Sequence, residues 1–211
     1  MVLVNIFRKI SKRLIDVIAS SIAIVIFFPI LTYIAYKIKK EDNGTIFFKQ
    51  KRSGLNNKTF DIYKLRSMKI NNSTTNRDNP YKVWNCHVPD DFIFKTTSEN
   101  NPNVTKIGKI IRKYSLDEIP QFYNVLKGDM SIVGPRPEIV EITEQYDVNQ
   151  RRRLNVKPGI TGWAQVNGRS DINHGNKIKY DLYYIENQSI SLDLKIIWLT
   201  FWQVLVGKGS V

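Results

Sequence analysis

The chain has 211 residues, 42% of them hydrophobic, and carries a formal net charge of +13 at pH 7. Such a charge suits nucleic acid, an anionic membrane surface or a phosphorylated substrate. Nucleic acid is the weakest of these partners, because the sequence has no recognised nucleic-acid motif and its arginines are scattered. The single cysteine, Cys86, excludes an internal disulfide and suits a domain that faces the cytoplasm.

A long apolar run comes first, over residues 14–36, and reads LIDVIASSIAIVIFFPILTYIAY. As a straight helix it would reach about 34 Å, against a bilayer core about 30 Å thick. Pro29 lies inside the run and removes a helical hydrogen bond, so we predict a kink or a break there. Basic residues flank both ends, whereas a spanning helix normally keeps its Lys and Arg excess on the cytoplasmic side. The pattern leaves a spanning helix and a re-entrant hairpin as alternatives.

This run divides the chain into a membrane-embedded segment, residues 1–40, and one compact domain, residues 41–211. Two β-prone stretches, residues 45–52 and 58–66, flank the turn sequence SGLNN and predict a hairpin. Residues 70–103 are rich in Asn, Thr, Ser and Asp and predict a long, partly ordered loop with room for one short helix. Loops of that length are often functional lids, although disorder is the other interpretation.

Helical signals follow this loop. Residues 105–114 predict a short basic helix, and the sequence from Ser115 to Glu118 matches a capping box for a second helix that stops at Gly128. Pro120 is an alternative start for that helix. The connector Gly134-Pro135-Arg136-Pro137 is rigid, and Pro137 suits the first turn of a helix over residues 138–154.

The C-terminal part begins with a predicted turn at residues 157–159, a short strand over residues 163–166 and a turn at Asn167-Gly168. A final apolar helix over residues 192–206 would reach about 22 Å, which is too short to span a bilayer. Trp198 and Trp202 share one of its faces, so it lies either in the headgroup region or in the core.

The densest cluster of charged residues comprises Arg112, Asp117, Glu118, Asp129 and Arg136. Asp117 lies at a predicted helix N-terminus, where the helix dipole favours the charged form, so we expect it to be ionised at neutral pH. An ionised aspartate can attack phosphorus, or it can hold Mg²⁺ against a diphosphate. The alternative is purely structural: Ser115 and Glu118 cap the helix and Asp117 complements its dipole.

Arg136 lies between two prolines, which hold the backbone extended and present the guanidinium at low entropic cost. Its planar fork of donors suits two phosphate oxygens, and an ion pair with Glu138 is the alternative. The charge balance favours phosphate, because basic residues outnumber nearby acids: Lys64, Arg66, Arg112, Arg136, Arg151, Arg152, Arg153 and Arg169. The candidate phosphate-binding residues are Arg136, Arg112, Lys64, Arg66 and Arg169.

Several motifs, in this order, resemble the bacterial sugar transferases: KRLIDVIAS, FDIYKLRSM, RKYSLDEIPQFYNVLKGDMSIVGPRP, KPGITGWAQVNGR and SLDLKIIWLT. The resemblance covers nearly the whole chain, from about Lys12 to Gly207, and the chain is similar to the small, single-domain form. These are monotopic phosphoglycosyl transferases, enzymes that enter one leaflet only and start the assembly of surface glycans. The implied fold is α+β and mostly helical, with a re-entrant membrane hairpin, a small β-hairpin and interfacial amphipathic helices.

The resemblance also implies a reaction, the transfer of a phosphosugar from a UDP-sugar to undecaprenyl phosphate with release of UMP. Asp117 matches the nucleophile, Glu118 the second acid, used for proton handling or Mg²⁺, and Arg136 a phosphate contact. The family breaks its membrane helix at a Ser-Pro pair, which corresponds here to Phe28-Pro29, so the proline is kept and the serine is not. The implied location is the cytoplasmic face of the bacterial inner membrane, in contact with membrane lipids. The resemblance and a cytoplasmic active site favour the hairpin over the spanning helix.

Two further predictions stay open at this point. A homo-oligomer is compatible with the sequence, and no residue pattern specifies it. The alternative function is a non-catalytic, membrane-anchored scaffold whose positive charge holds anionic lipid. That alternative leaves the Asp117-Glu118 pair and the proline-framed Arg136 without a role.

Overall fold

A computed structural model describes residues 2–69, 81–93, 101–168 and 172–206. The first element is one long helix, α1 (Val2–Asp42), which continues through Pro29. A break in the helix is therefore not seen, because a proline removes one hydrogen bond while the helical hydrogen bonds on both sides remain. The alternative, a kink at Pro29, stays a prediction. By length and composition, the stretch Phe7–Glu41 of this helix is apolar enough to cross a membrane.

Both ends of α1 pack against the same domain. Near the N-terminus, Lys12 Nζ lies 2.7 Å from Asp193 Oδ2. Towards the C-terminus, Ile34 and Ile38 are buried in a cluster with Ile111. Between these contacts the apolar side chains of α1 are largely exposed, namely Ile22, Val25, Ile26, Phe28 and Ile30. The middle of the helix is thus the part left uncovered by protein.

The predicted hairpin is confirmed. Strand β1 (Phe47–Ser53) pairs antiparallel with β2 (Thr59–Leu65). A short 3₁₀ turn, Leu55–Asn57, joins them. Asn56 and Asn57 have φ angles of 53° and 61°, a left-handed region that asparagine tolerates better than most residues.

Part of the predicted loop is ordered. Residues 81–93 include a 3₁₀ turn, Lys82–Trp84, and Trp84 and Phe92 pack against the buried cluster around Tyr146. The remaining stretches of that loop, residues 70–80 and 94–100, lie outside the described residues. The lid interpretation therefore stays a prediction.

Helix α2 (Lys106–Lys113) confirms the predicted basic helix, and the Thr105 hydroxyl caps it by accepting from Gly108 N at 2.9 Å. The capping box at Ser115 is wrong, because Ser115 has a φ of 52° and its side chain makes no cap bond. Residues Leu116–Glu118 form a single 3₁₀ turn instead. Helix α3 (Gln121–Lys127) follows Pro120 and ends at Gly128, as the alternative start predicted.

The helix predicted over residues 138–154 is wrong. After strand β3 (Ser131–Val133) the chain forms two short helices, α4 (Val140–Thr143) and α5 (Val148–Arg151), and a 3₁₀ turn, Arg152–Asn155. The interruption comes from Asp147, whose carboxylate accepts from Gln150 N at 2.7 Å in a capping box. This cap starts a new helix in the middle of the predicted one.

Strand β4 (Gly159–Thr161) pairs in parallel with β3 and begins at the last residue of the predicted turn. A Cβ at Gly159 would lie 2.1 Å from Gly134 N, so the chains can approach this closely only with glycine. The strand predicted over residues 163–166 is wrong, since these residues lie in helix α6 (Trp163–Gly168). The Asn167-Gly168 turn is likewise replaced by the end of this helix.

Two helices complete the fold. Helix α7 (His174–Glu186) was not predicted, whereas α8 (Ile190–Leu205) confirms the predicted final helix. Ile196 buries the inner face of α8 against Val133 and Tyr184. Trp198 and Trp202 are 64% and 58% exposed, so the core interpretation is wrong for these side chains. The described residues form a mostly helical protein with small sheets, as predicted.

Candidate active site

The Asp117-Glu118 pair lies in the 3₁₀ turn between α2 and α3, which we call the catalytic turn (residues 114–120). Two basic side chains from other segments converge on it. Lys64 Nζ lies 2.6 Å from Glu118 Oε1 and 3.9 Å from Asp117 Oδ2. Arg136 donates to both oxygens of Glu118, at 2.7 Å and 3.4 Å. The structure therefore brings together four of the predicted site residues.

Strand β2 and helix α3 hold Lys64 in register with the catalytic turn. Phe60 and Ile62 of β2 pack against Val125 of α3. Asn124, which is fully buried, bonds the edge of the same strand, accepting from Tyr63 N at 3.0 Å and donating to Asp61 O at 2.7 Å. Sequence reasoning missed Asn124. Asn124 is a polar residue between apolar positions of a predicted helix, which indicates a buried hydrogen-bonding role. The sequence does not indicate that its partners are Tyr63 and Asp61.

A buried ionic cluster supports the segment that carries Arg136. Arg153 Nη2 donates to Arg136 O at 2.9 Å, while Arg153 Nε donates to Asp181 Oδ2 at 2.8 Å. Arg153 is 2% and Asp181 is 1% exposed. Arg153 is therefore not the surplus positive charge that its place among the phosphate-favouring residues predicted, because Asp181 pairs with it. No local pattern indicates this pairing, since Asp181 lies in α7, the helix that was not predicted.

The alternative partner predicted for Arg136 is wrong. Glu138 pairs with Lys177 and lies 3.9 Å from Arg153 Nη1, whereas Arg136 pairs with Glu118. Because proline flanks Arg136 on each side, the extended backbone directs it away from Glu138 and towards the catalytic turn. Its side chain is still 46% exposed, so the guanidinium can also reach a ligand from solvent.

Burial and the neighbouring charges shift the pKa values of Asp117 and Glu118 in opposite directions. Burial, and then the negative charge of Glu118, raise the pKa of Asp117 to about 6, against the opposing charges of Lys64, Arg136 and Arg112. Burial would also raise the pKa of Glu118, but the charges of Arg136 and Lys64 outweigh it and hold that pKa well below its usual range. The shift of Asp117 is opposite to the direction expected from a helix dipole, because Asp117 lies in a 3₁₀ turn, partly shielded from solvent, and not at a helix N-terminus.

The charge of Asp117 is less stabilised by its surroundings than the charge of Glu118. At pH 7 both are mostly ionised, but only Glu118 is hydrogen-bonded to two cations. Among the described residues, none donates a hydrogen bond to the side chain of Asp117, and its nearest cation, Lys64, is 3.9 Å away. A carboxylate with a raised pKa and no hydrogen bond is more basic than usual, which suits a nucleophile.

Three predicted phosphate-binding residues remain, Arg112, Arg66 and Arg169, and the structure describes contacts of the first two. Arg112 Nε donates to Ser67 Oγ at 2.8 Å, and its charge still acts on Asp117. Arg66 is 6% exposed and its Nε donates to Thr45 O at 2.5 Å, on the linker between α1 and β1. Arg169 lies outside the described residues. Phosphate binding by these three arginines stays a prediction.

Asp117 and Glu118 suit a magnesium site in which substrate phosphates supply further ligands, rather than one built from protein side chains alone. Within the part of the chain that the structure describes, no group of three or more His, Cys, Asp or Glu side chains could hold a metal ion. Mg²⁺ is usually bound through one or two carboxylates together with substrate phosphates, so Asp117 and Glu118 fit that kind of donor set.

The profile of the family described as bacterial sugar transferase matches residues 7–207. Galactosyl transferase CpsE of Streptococcus agalactiae is 44% identical over 202 residues, which cover 95% of this chain and 43% of that protein. The UDP-glucose:undecaprenyl-phosphate glucose-1-phosphate transferase of Klebsiella pneumoniae is 41% identical over 214 residues, which cover 98% and 42%. The uncharacterized sugar transferase EpsL of Bacillus subtilis is 41% identical over 200 residues, which cover 95% and 90%. The chain thus spans less than half of the first two relatives and most of the third.

Proposed function

Since this chain belongs to the bacterial sugar transferase family, we propose that it transfers a sugar 1-phosphate from a UDP-sugar to undecaprenyl phosphate and releases UMP. The observation that carries this proposal is the unequal acid pair. Asp117 is a mostly buried carboxylate, 13% exposed, with a raised pKa, and the adjacent Glu118 is held by Lys64 and Arg136. The printed name of the Klebsiella relative, which specifies a reaction of this kind, supports the same assignment.

In the first step, a carboxylate oxygen of Asp117 attacks the β-phosphorus of the UDP-sugar. A P–O bond forms to Asp117, and the P–O bond to the α-phosphate breaks, so UMP leaves with the bonding electron pair. The enzyme then carries an aspartyl phosphosugar. The pKa of about 6 leaves Asp117 mostly deprotonated at pH 7, while keeping it more basic than an ordinary aspartate.

In the second step, a phosphate oxygen of undecaprenyl phosphate attacks the same phosphorus. The bond to Asp117 breaks, and the carboxylate takes back its electron pair. The products are undecaprenyl diphosphate sugar and the free enzyme. Splitting the transfer in two steps lets the nucleotide leave before the lipid phosphate reacts, so two anionic substrates need not be held together.

The basic residues balance the charge that each substrate brings. In the absence of substrate, Asp117 and Glu118 together balance the charges of Lys64 and Arg136. The exposed part of the Arg136 guanidinium can turn its donors to a phosphate oxygen. We propose that Mg²⁺ is held by Asp117, Glu118 and the diphosphate, where it would neutralise charge on the leaving group.

We propose that α1 enters and leaves the cytoplasmic leaflet of the inner membrane as a re-entrant hairpin, with the continuous helix bent at Pro29 rather than broken there. Two ends of a spanning helix lie on opposite sides of a bilayer, whereas Lys12 and Ile38 both contact the same domain. The buried Asp16 and Ser20 shorten the lipid-exposed part of the run further. The exposed Trp198 and Trp202 suit an α8 that lies at headgroup level. This arrangement would bring Asp117 to the depth of a lipid phosphate.

The test is a panel of UDP-sugars, each incubated with the full chain in bilayer nanodiscs that contain undecaprenyl phosphate and Mg²⁺. The proposal expects UMP release with at least one sugar and with UDP in preference to GDP or CDP as the carrier. Salt-sensitive membrane binding without UMP release, for every sugar in the panel, would support the scaffold alternative instead.

A further inference from the structure

Arg13 of α1 contacts the far end of the helix that follows the acid pair. Its Nη1 donates to Val125 O at 2.6 Å, and its Nη2 donates to Leu126 O at 2.8 Å. Both carbonyls belong to the last turn of α3, and Val125 O also accepts from Gly128 N at 3.0 Å. The membrane helix therefore fixes the C-terminal end of α3, whose other end begins at the catalytic turn.

Asp16, one turn further along the same face of α1, contacts the strand that leads to Arg136. It is 4% exposed, and its Oδ1 accepts from Ser131 Oγ at 3.1 Å and from Ile132 N at 3.0 Å. Both donors lie in β3, which ends immediately before the Gly134-Pro137 connector. A buried carboxylate has no use as a lipid anchor, because burying a charge costs free energy that an apolar side chain would not.

Glu41, at the opposite end of α1, contacts the helix that precedes the acid pair. Its two carboxylate oxygens accept from Lys106 N at 2.7 Å and from Ile107 N at 3.2 Å. These are the first amides of α2, which an acidic side chain caps favourably. The catalytic turn thus lies between two helices, each of which is bonded to α1 at the end away from the turn.

We propose that Arg13, Asp16 and Glu41 are positioning residues, through which the membrane helix sets the geometry of the catalytic turn and of Arg136. Helix α2, helix α3 and strand β3 are short, and helices of this length have no stability of their own, so contacts with other elements must fix their orientation. On this account α1 is part of the catalytic framework as well as an anchor. The inference rests on the proposed function.

The test compares Arg13→Gln with Arg8→Gln in the full chain in nanodiscs. Arg8 lies on the same helix and loses the same charge, but it donates to Gln188 O, in a segment without predicted site residues. Arg13→Gln is expected to lower kcat for UMP release at least tenfold with KM for the UDP-sugar within threefold of the unmutated value. Arg13→Lys, which can still donate to one carbonyl, should recover part of kcat, and Arg8→Gln should stay within threefold.

A second readout does not depend on activity. Hydrogen exchange of peptides covering residues 117–121 should accelerate at least tenfold in Arg13→Gln and in Glu41→Ala, and exchange over residues 131–137 should accelerate in Asp16→Ala. Asp16→Asn keeps an acceptor oxygen and should restore the protection. Glu41 is exposed, so Glu41→Ala and its control Lys40→Ala remain informative even where a buried variant does not fold.

The outcomes separate the two proposals. Unchanged exchange over residues 117–121 in Arg13→Gln and Glu41→Ala would overturn the positioning role, and so would an equal loss of kcat in Arg8→Gln. If the unmutated protein releases no UMP with any sugar, the proposed function fails. The exchange measurements then still decide whether α1 controls the catalytic turn.

Discussion

Arg136 holds Glu118 through both carboxylate oxygens, with Nη2 at 2.7 Å from Oε1 and Nη1 at 3.4 Å from Oε2. The environment of the neighbouring Asp117 disfavours its charged form, because that side chain is mostly buried and lies beside the negative charge of Glu118. Two adjacent carboxyl groups therefore differ widely in acidity, and pairs of this kind are typical of sites where one acid reacts and the other does not.

The first prediction concerns pH. Because the pKa of Asp117 is raised to about 6, its reactive, deprotonated form is lost as the pH falls through that value. We expect the acidic limb of kcat/KM for UMP release to have its midpoint near pH 6 and to fall about tenfold per pH unit below it. A limb with its midpoint near pH 4, the value for an ordinary aspartate, would contradict the raised pKa.

Removing the charge of Glu118 should shift that limb. In Glu118→Gln the like charge beside Asp117 is gone while Lys64 and Arg136 remain, so the pKa of Asp117 falls and the limb moves to lower pH. We expect kcat at pH 7 to fall by about two orders of magnitude, because a less basic Asp117 and one cation without a counter-charge face the substrate. Glu186→Gln, which alters an exposed pair with Arg152, is the matched control and should leave the limb in place.

The buried pair Arg153–Asp181 should dominate stability. In Arg153→Met, Asp181 is left buried without its cation, and Arg136 O loses a donor. We expect the free energy of unfolding in detergent to fall by about 3–5 kcal/mol. Arg152→Met removes an exposed pair with Glu186 and should cost less than about 1 kcal/mol. Equal losses in the two variants would show that the buried cluster does not hold this part of the fold.

The re-entrant hairpin predicts that both ends of α1 are on the cytoplasmic side. The test labels Lys9→Cys and Lys40→Cys, each in a Cys86→Ser background, with a membrane-impermeant maleimide. Both cysteines should react in inside-out vesicles, and neither should react in right-side-out vesicles. Reaction of the two cysteines from opposite sides would mean that α1 spans the bilayer.

Local patterns in the sequence predicted the elements whose signals are local. The SGLNN turn between β-prone runs, the basic stretch over residues 105–114 and the apolar run before Val206 each specify structure within a few residues, and each prediction is confirmed. The interruption of the helix at Asp147 also had a local signal, since Asp-x-x-Gln matches a capping box, but the apolar pattern of residues 138–154 obscured it.

The rest depends on contacts between distant residues. The parallel pairing of β3 with β4 requires Gly134 and Gly159 to meet, and no local pattern indicates this. The partner of Arg136 could not be inferred either, because Glu138 is close in sequence and Glu118 is close only in space. For the same reason the dipole argument gave the wrong direction for the pKa of Asp117, which is set by burial and by Glu118.

The most direct test of the central claim is the intact mass of the full chain after incubation with UDP-sugar and Mg²⁺ in the absence of lipid acceptor. The proposal predicts an added mass equal to one sugar phosphate, which disappears when undecaprenyl phosphate is supplied. Asp117→Asn should show neither the adduct nor UMP release. A fully active Asp117→Asn protein, or an unmutated enzyme that turns over without any adduct, would contradict the assignment of Asp117 as the nucleophile.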